Sequence, residues 1–176
     1  MGAAAAPISG RKPFRGMAPK GYRLRMMEPG EAEALLAIRH AAAKPGAQPL
    51  AMAEFIRLLL AHEVYVAVAK REDRAVGYAV AGGQGPIYWL VEHNVAPDHR
   101  GRGVGTALLD AVTRRARWFG HRTLALAGPV GQDGDASFFR HCGFMPMSRA
   151  ELPLRPDRDP PPETPVVAAT VMVKRL

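Results

Sequence analysis

The sequence predicts an α+β fold around one mixed sheet. Three observations carry that expectation. Segments with strand patterning and helix patterning follow one another in an order that suits a single sheet covered by helices. Near the middle, an apolar strand-like run meets a long amphipathic helix through a glycine-rich junction. The length of 176 residues, 48% of them hydrophobic, is enough to bury one core.

The elements follow in chain order. Residues 1 to about 20 are rich in Ala, Gly, Pro and basic residues and read as a disordered basic tail, with Met17 as an alternative start. Residues 21–176 then form a single domain. Tyr22 to Met27 alternates Tyr, Leu and Met with Arg, an edge strand. Pro29-Gly30-Glu31 opens a helix that runs to Ala43, with Leu35, Leu36 and Ile38 inward, and Lys44-Pro45-Gly46 ends it. Met52 to His62 is a second helix, with Phe55, Ile56, Leu59 and Leu60 apolar. Val64–Ala69 and Ala75–Ala81 form a hairpin across the polar turn Arg71-Glu72-Asp73-Arg74. Gly82 to Pro86 reads as a loop, and the aromatic and branched run from Ile87 to Val95 as a strand. A long helix spans about Gly103 to Phe119: Leu108, Leu109, Val112, Ala116 and Phe119 share one stripe, and Gly120 stops it. Arg114, Arg115 and Arg117 sit near its C-terminal end, where positive charge is favoured. Thr123–Ala127 is a strand, Asp135–Cys142 a short helix closed by Gly143, and Phe144–Met147 and Val166–Lys174 are the last strands. Arg155 to Pro165, charged and proline-rich, is expected to be a mobile surface loop. The count is seven strands and four helices.

The chemistry is concentrated at the junction Val95-Ala96-Pro97-Asp98-His99-Arg100-Gly101-Arg102-Gly103-Val104-Gly105. A helix N-terminus carries free backbone N–H groups and partial positive charge. Glycines let that backbone approach an anion closely, and Arg100 and Arg102 add charge-assisted donors for phosphate oxygens. No Gly-Lys-Ser/Thr follows, so this is not a Walker loop, and the glycine spacing is wrong for the dinucleotide fingerprint. A merely flexible Gly/Arg turn is the plain alternative, disfavoured by the strand before, the helix after and the preceding Val-x-Pro.

Arg100-x-x-Gly103-x-Gly105, preceded by Val95-x-Pro97 and followed by Leu108-Leu109, resembles the acetyl-CoA loop of the GCN5-related N-acetyltransferases, and the resemblance runs from about Tyr22 to Leu176. It implies a mostly antiparallel mixed sheet splayed at a cofactor cleft, and acetyl-CoA as cosubstrate. It implies that the backbone of His93, Asn94 and Val95 pairs with the pantetheine arm as an added strand would. It further implies that Arg100, Gly101, Arg102, Gly103, Val104, Gly105 and Thr106 hold the pyrophosphate, with Asp133 and Phe139 also on the cofactor side. Asp133 stands where asparagine is common, and Phe139 where a tyrosine commonly protonates the departing thiolate. Phe139 has no hydroxyl, which leaves Ser137, His141, Cys142 or water as the acid.

The reaction so implied is direct attack of a primary amine, of a small molecule or peptide, on the thioester. The amine must lose a proton. Glu92 is the first candidate for the base and His93 the alternative, an imidazole titrating near neutral pH. Neighbouring strand residues face opposite sides, so both point into the cleft only if a bulge intervenes. A surface Glu and a packed His are the plain readings of the same residues. A backbone N–H near Val95 is expected to face the developing oxyanion. Glu54, Glu63 and Glu92 are acidic residues that would attract a cationic amine.

Composition limits the partners. The net charge of +8 attracts anions, coenzyme A and nucleic acid alike. The basic residues are scattered with no interleaved aromatic platform, so nucleic acid is not the expected partner. A single cysteine excludes an intramolecular disulfide and suits the cytoplasm. The six His residues show no metal spacing, so no metal is expected. No apolar run is long enough to span a membrane, the N-terminus lacks a secretory pattern, and Ala6 breaks the myristoylation pattern. Ala150-Glu151-Leu152-Pro153 resembles bacterial members of unassigned substrate. Many relatives pair through their sheets, so a homodimer is an expectation of the resemblance alone. Two further readings stay open, a catalytically silent acetyl-CoA-binding module and a basic nucleic-acid-binding protein.

Overall fold

The computed structural model describes residues 17–126, 135–153 and 170–176. Within them, one seven-stranded sheet has the order β1-β2-β3-β4-β5-β7-β6. Its strands are β1 (Tyr22–Met26), β2 (Glu63–Ala69), β3 (Arg74–Gln84), β4 (Ile87–Val95), β5 (Thr123–Leu126), β6 (Met145–Ser148) and β7 (Thr170–Arg175). The helices are α1 (Ala32–Ala42), α2 (Met52–Ala61), α3 (Val104–Trp118) and α4 (Asp135–His141). All pairings are antiparallel except β4 with β5, which the crossover through α3 makes parallel. The expectations for Asp133, for the loop 155–165 and for residues 1–16 of the basic tail lie outside the described residues. Of that tail's last residues, Ala18 packs on the core beneath α3 and the Tyr22 N–H bonds the Pro19 carbonyl at 3.0 Å.

Strand alternation divides the core in two. On one face, Leu35, Leu36 and Ile38 of α1 and Phe55 and Leu59 of α2 pack on Val66, Tyr78, Val80 and Trp89. On the other, Val104, Leu108, Leu109, Val112 and Ala116 of α3 pack on Ala67, Ala79, Ala81, Tyr88 and Leu90. Exchanging water for such packing on both faces is the main force holding the sheet between its helices.

One expectation is corrected. Gly82, Gly83 and Gln84 are not loop but the end of β3, paired with Trp89, Tyr88 and Ile87. Their glycines serve close packing rather than a turn. A Cβ on Gly83 would lie 2.7 Å from His121 Nε2, and one on Gly82 would lie 3.1 Å from His62 Cδ2. The turn shrinks to Gly85-Pro86.

Candidate active site

The decisive feature is a bulge in β4. Val80 faces Glu92 while Ala81 faces Leu90, so Val91 is an extra residue in β4. Up to that point β4 alternates regularly: Ile87, Trp89 and Val91 point to the α1 face, Tyr88 and Leu90 to the α3 face. The extra residue shifts the phase by one. Glu92 and Asn94 then go to the α1 face, where they meet Arg39 and Tyr78, and His93 goes to the α3 face, where it meets Gly105 and Phe138. Without the bulge these assignments would be reversed.

The same strand opens the sheet. β4 pairs with β3 as far as Val95, but its described pairing with β5 stops at Leu90–Leu126. Beyond Leu90 no described residue pairs with that edge of the strand, which borders a cleft of about 610 Å³. The cleft is lined by Leu90 to Val95 of β4, by Arg100, Gly101, Gly103, Gly105 and Thr106 of the junction, and by Ala42, Leu126, Phe138 and Phe139. Most of the residues expected at the site thus come together. Arg102 is exposed at the turn, and Val104 turns its side chain into the core at 1% exposure, so only its backbone N–H is offered.

At the junction, Pro97–His99 form one 3-10 turn, and Gly101 and Gly103 take φ of +69° and +79°. Side chains other than glycine rarely adopt that region. The first intrahelical bond of α3 is Ala107 N–H to Gly103 carbonyl, 3.0 Å, so the N–H groups of Val104, Gly105 and Thr106 precede the ladder and face outward. An α-helix of 15 residues with these donors and a glycine entry fits a phosphate. Arg100 behaves differently from the expectation of a free phosphate ligand. Its Nε donates to the Val95 carbonyl at 3.3 Å and its Nη2 to the Ala42 carbonyl at 3.2 Å, bracing the loop against the end of α1.

Glu92 is held by three donors: Arg39 Nε on Oε1 at 3.2 Å, and Asn94 Nδ2 at 2.7 Å and the Tyr78 hydroxyl at 3.3 Å on Oε2. Asn94 Nδ2 also donates to the Tyr78 oxygen at 3.0 Å. Burial, with the Glu92 charge adding to it, pushes the Tyr78 hydroxyl far above the usual phenol range, so it stays a donor. A carboxylate has about four lone-pair positions, and three are taken. Arg39 and Tyr78 escaped the sequence reading because their contacts to Glu92 cross 53 and 14 residues.

His93 is packed. Its Nε2 lies 2.9 Å from the Gly105 carbonyl, which can only accept, so that nitrogen carries the proton. The ring stacks on Phe138 at 5.4 Å and meets Phe139 edge-on at 5.7 Å. Phe139 is 9% exposed and also packs on Phe144. Of α4, only Phe138 and Phe139 line the cleft; Ser137 and His141 do not, nor does Cys142 just after the helix. Burial pushes the Cys142 thiol up, away from thiolate chemistry. Among the described residues, no group of His, Cys, Asp and Glu could hold a metal, and no helix is long and apolar enough to cross a membrane.

Among the other acidic residues, Glu63 lies on the α3 face and is taken up by Arg115, Tyr88 and Tyr65. Glu54 accepts the Ala51 N–H at the start of α2, 3.3 Å away.

The cleft thus lies between the edge of β4 and the N-terminus of α3. Residues 32–144 match the Acetyltransferase (GNAT) family, and the chain belongs to that family. Over 140 residues it is 35% identical to mycothiol acetyltransferase of Streptomyces avermitilis, a match covering 74% of this chain and 45% of that protein. The chain therefore spans less than half the length of that curated relative. Among solved structures, the ribosomal-protein-S18-alanine N-acetyltransferase of Escherichia coli superposes with a TM-score of 0.66 at 18% identity, covering 88% of this chain and 93% of that one. A GCN5-related N-acetyltransferase from Rhodopseudomonas palustris gives 0.65 at 24% identity, covering 91% and 99%. At these identities the structural likeness is one of fold.

Proposed function

We propose that the chain acetylates a primary amine by direct attack, with Glu92 as the base that takes the amine's proton. Bound acetyl-CoA supplies the acetyl thioester. The protein's part is positional and electrostatic. The N–H groups of Val104, Gly105 and Thr106, with the glycine turn before them, hold the pyrophosphate. The open edge of β4 beyond Leu90 pairs with the pantetheine arm and offers a backbone N–H near Val95 to the thioester oxygen. Glu92 removes a proton from the acceptor ammonium, directly or through one water, and the neutral nitrogen attacks. The new N–C bond forms as the C–S bond breaks, the electron pair leaves on sulfur, and the nitrogen's second proton passes to that thiolate or to water as the amide forms.

The observation that carries this reading is the bulge at Val91, which sets Glu92 beside the open edge with one lone pair unspent. His93 is the second candidate, because its ring is packed against two phenylalanines on the α3 face, away from the Glu92 cluster. With Phe139 at the tyrosine position and no α4 hydroxyl or thiol lining the cleft, the coenzyme A thiolate leaves without an acid from α4. That same feature favours one second reading, a binding module without turnover. Thiol release separates the two. Glu92→Gln should lower kcat about 100-fold or more while calorimetric acetyl-CoA binding is unchanged. Bound acetyl-CoA with no thiol release across a broad amine panel would establish the silent module instead. We further infer a cytoplasmic protein of bacterial type that does not bind nucleic acid; a homodimer remains part of the proposal, to be read by light scattering.

A further inference from the structure

The polar cluster on the α1 face has a composition of its own. Arg39 and Glu92 form an ion pair whose side chains are 25% and 14% exposed. Arg39 spends only its Nε on Glu92; its two Nη groups bond no described residue. They are the outer edge of a planar fork that matches a carboxylate. Arg39 stands one helical turn before Ala42, which lines the cleft. Asn94 is the second unspent group. Its amide nitrogen must face Glu92, because a carboxylate only accepts, and its protons go to Glu92 and Tyr78. Its Oδ1 is left as an acceptor with no bond to a described residue, and Asn94 is among the residues that line the cleft.

Charge decides what such a site prefers. An ammonium that approaches the Glu92 carboxylate also approaches the guanidinium 3.2 Å from it. In a partly desolvated cleft that repulsion is strong. A bare cation therefore gains little, whereas an acceptor carrying its own anion beside the amine matches the pair charge for charge.

We propose that the acceptor is an α-amino carboxylate, with its nitrogen received between Glu92 and Asn94 Oδ1 and its carboxylate on the Nη edge of Arg39. This rests on the reading of Glu92 as the base. It moves the Asn94 side chain from the cofactor side to the acceptor side, leaving only its backbone to the cofactor. Arg39 becomes the specificity residue.

The test compares L-amino acids with their own carboxamides, which keep the amine and side chain and lose the anion. Wild type, Arg39→Gln, Arg39→Lys and Asn94→Ala are assayed, each shown by melting to be folded. The wild type should favour the free amino acid over its amide by about tenfold or more in kcat/KM. Arg39→Gln should abolish that preference, chiefly through the KM of the amino acid, with Arg39→Lys intermediate. Asn94→Ala should raise KM for both acceptors while acetyl-CoA affinity, measured by calorimetry, stays unchanged. Calorimetric binding of the amino acid to the enzyme–coenzyme A complex, lost in Arg39→Gln, is the readout that does not depend on turnover. Equal or better use of the amide by the wild type would overturn the proposal, as would an Arg39→Gln variant weakened alike toward both acceptors. Acetylation confined to amines without a carboxylate overturns this proposal and leaves the enzyme reading intact. No acetylation of any amine by an acetyl-CoA-bound protein overturns both.

Discussion

Glu63 and Glu92 invite comparison because each is a partly buried carboxylate paired with an arginine from a helix, on opposite faces of one sheet. Glu63 is saturated. Arg115 donates through Nε to both oxygens at 3.0 Å and again through Nη2, and Tyr88 and Tyr65 add hydroxyls at 2.6 Å and 3.3 Å. Arg115 is in turn covered by the Phe119 and Trp118 rings, 4.3 Å and 5.0 Å from its guanidinium carbon. Glu92 has one contact from Arg39, two from neutral donors, and a lone pair left over. The same pair of residue types is thus a structural lock when every acceptor position is filled, and a candidate base when one is not. Burial does not separate them, since their side chains are 26% and 14% exposed.

The largest expected effects follow from exchanging charge for amide at each position. Glu92→Gln should reduce kcat by about 100-fold to 10,000-fold, the range for losing a general base, and should lower the melting temperature less than Glu63→Gln does, because Glu92 takes three contacts where Glu63 takes five. Initial rates of thiol release and a thermal melt on the same preparation check both halves. A variant that melts early and keeps its kcat would reverse the comparison.

Glu63→Gln should do the opposite. The amide cannot match the Arg115 fork and leaves that guanidinium short of acceptors, a loss of about 1–2 kcal/mol, in the lower part of the usual range because both side chains keep some solvent. For a chain of this length that is a fall of a few degrees in Tm, about 2–4 °C per kcal/mol. The kcat should stay within about twofold of wild type, because Glu63 does not line the cleft. Gly83→Ala tests the neighbouring packing. Its Cβ would sit 2.7 Å from His121 Nε2 and 3.5 Å from Tyr88 Cδ2, so overpacking should cost about 1 kcal/mol or slightly more by denaturant melt.

The sequence made this fold readable because its elements are local. The stripe Leu108, Leu109, Val112 and Ala116 and the stop at Gly120 depend on nearest neighbours, and α3 ends within a residue of its expected limits. The glycine junction was readable for the same reason, since positive φ at Gly101 and Gly103 is a property of single residues. Three features were hidden by distance. The bulge at Val91 is set by register with β3, which no pattern within β4 reports. Arg39 reaches Glu92 from α1, 53 residues away. Gly82 and Gly83 look like turn residues until His62 and His121 are brought beside them. Phe139 was recognised as a departure from the family pattern, but its role as a wall against His93 needed the packed ring pair.

The smallest expected effect is the dependence of stability on pH, and it again divides the two carboxylates. Burial raises the Glu63 carboxyl, but the hydrogen bonds from Arg115 and Tyr88 with the Arg115 charge outweigh it, and the group lies below its ordinary value of 4.5. A carboxyl whose folded-state value is depressed stabilises the fold above its unfolded value, and that contribution is lost as pH falls through the folded value. Glutamine does not titrate. The gap in Tm between wild type and Glu63→Gln should therefore be widest near neutral pH and should close as pH drops below about 4.5, the wild type falling toward the variant. Glu31, lowered chiefly by its bond from Arg25, adds the same trend to both proteins, so it cancels in the difference. Melts at steps of pH from about 7 to 3 measure that gap. A gap that stays constant would show that Glu63 contributes through shape alone, and its contrast with Glu92 would then rest on geometry rather than on charge.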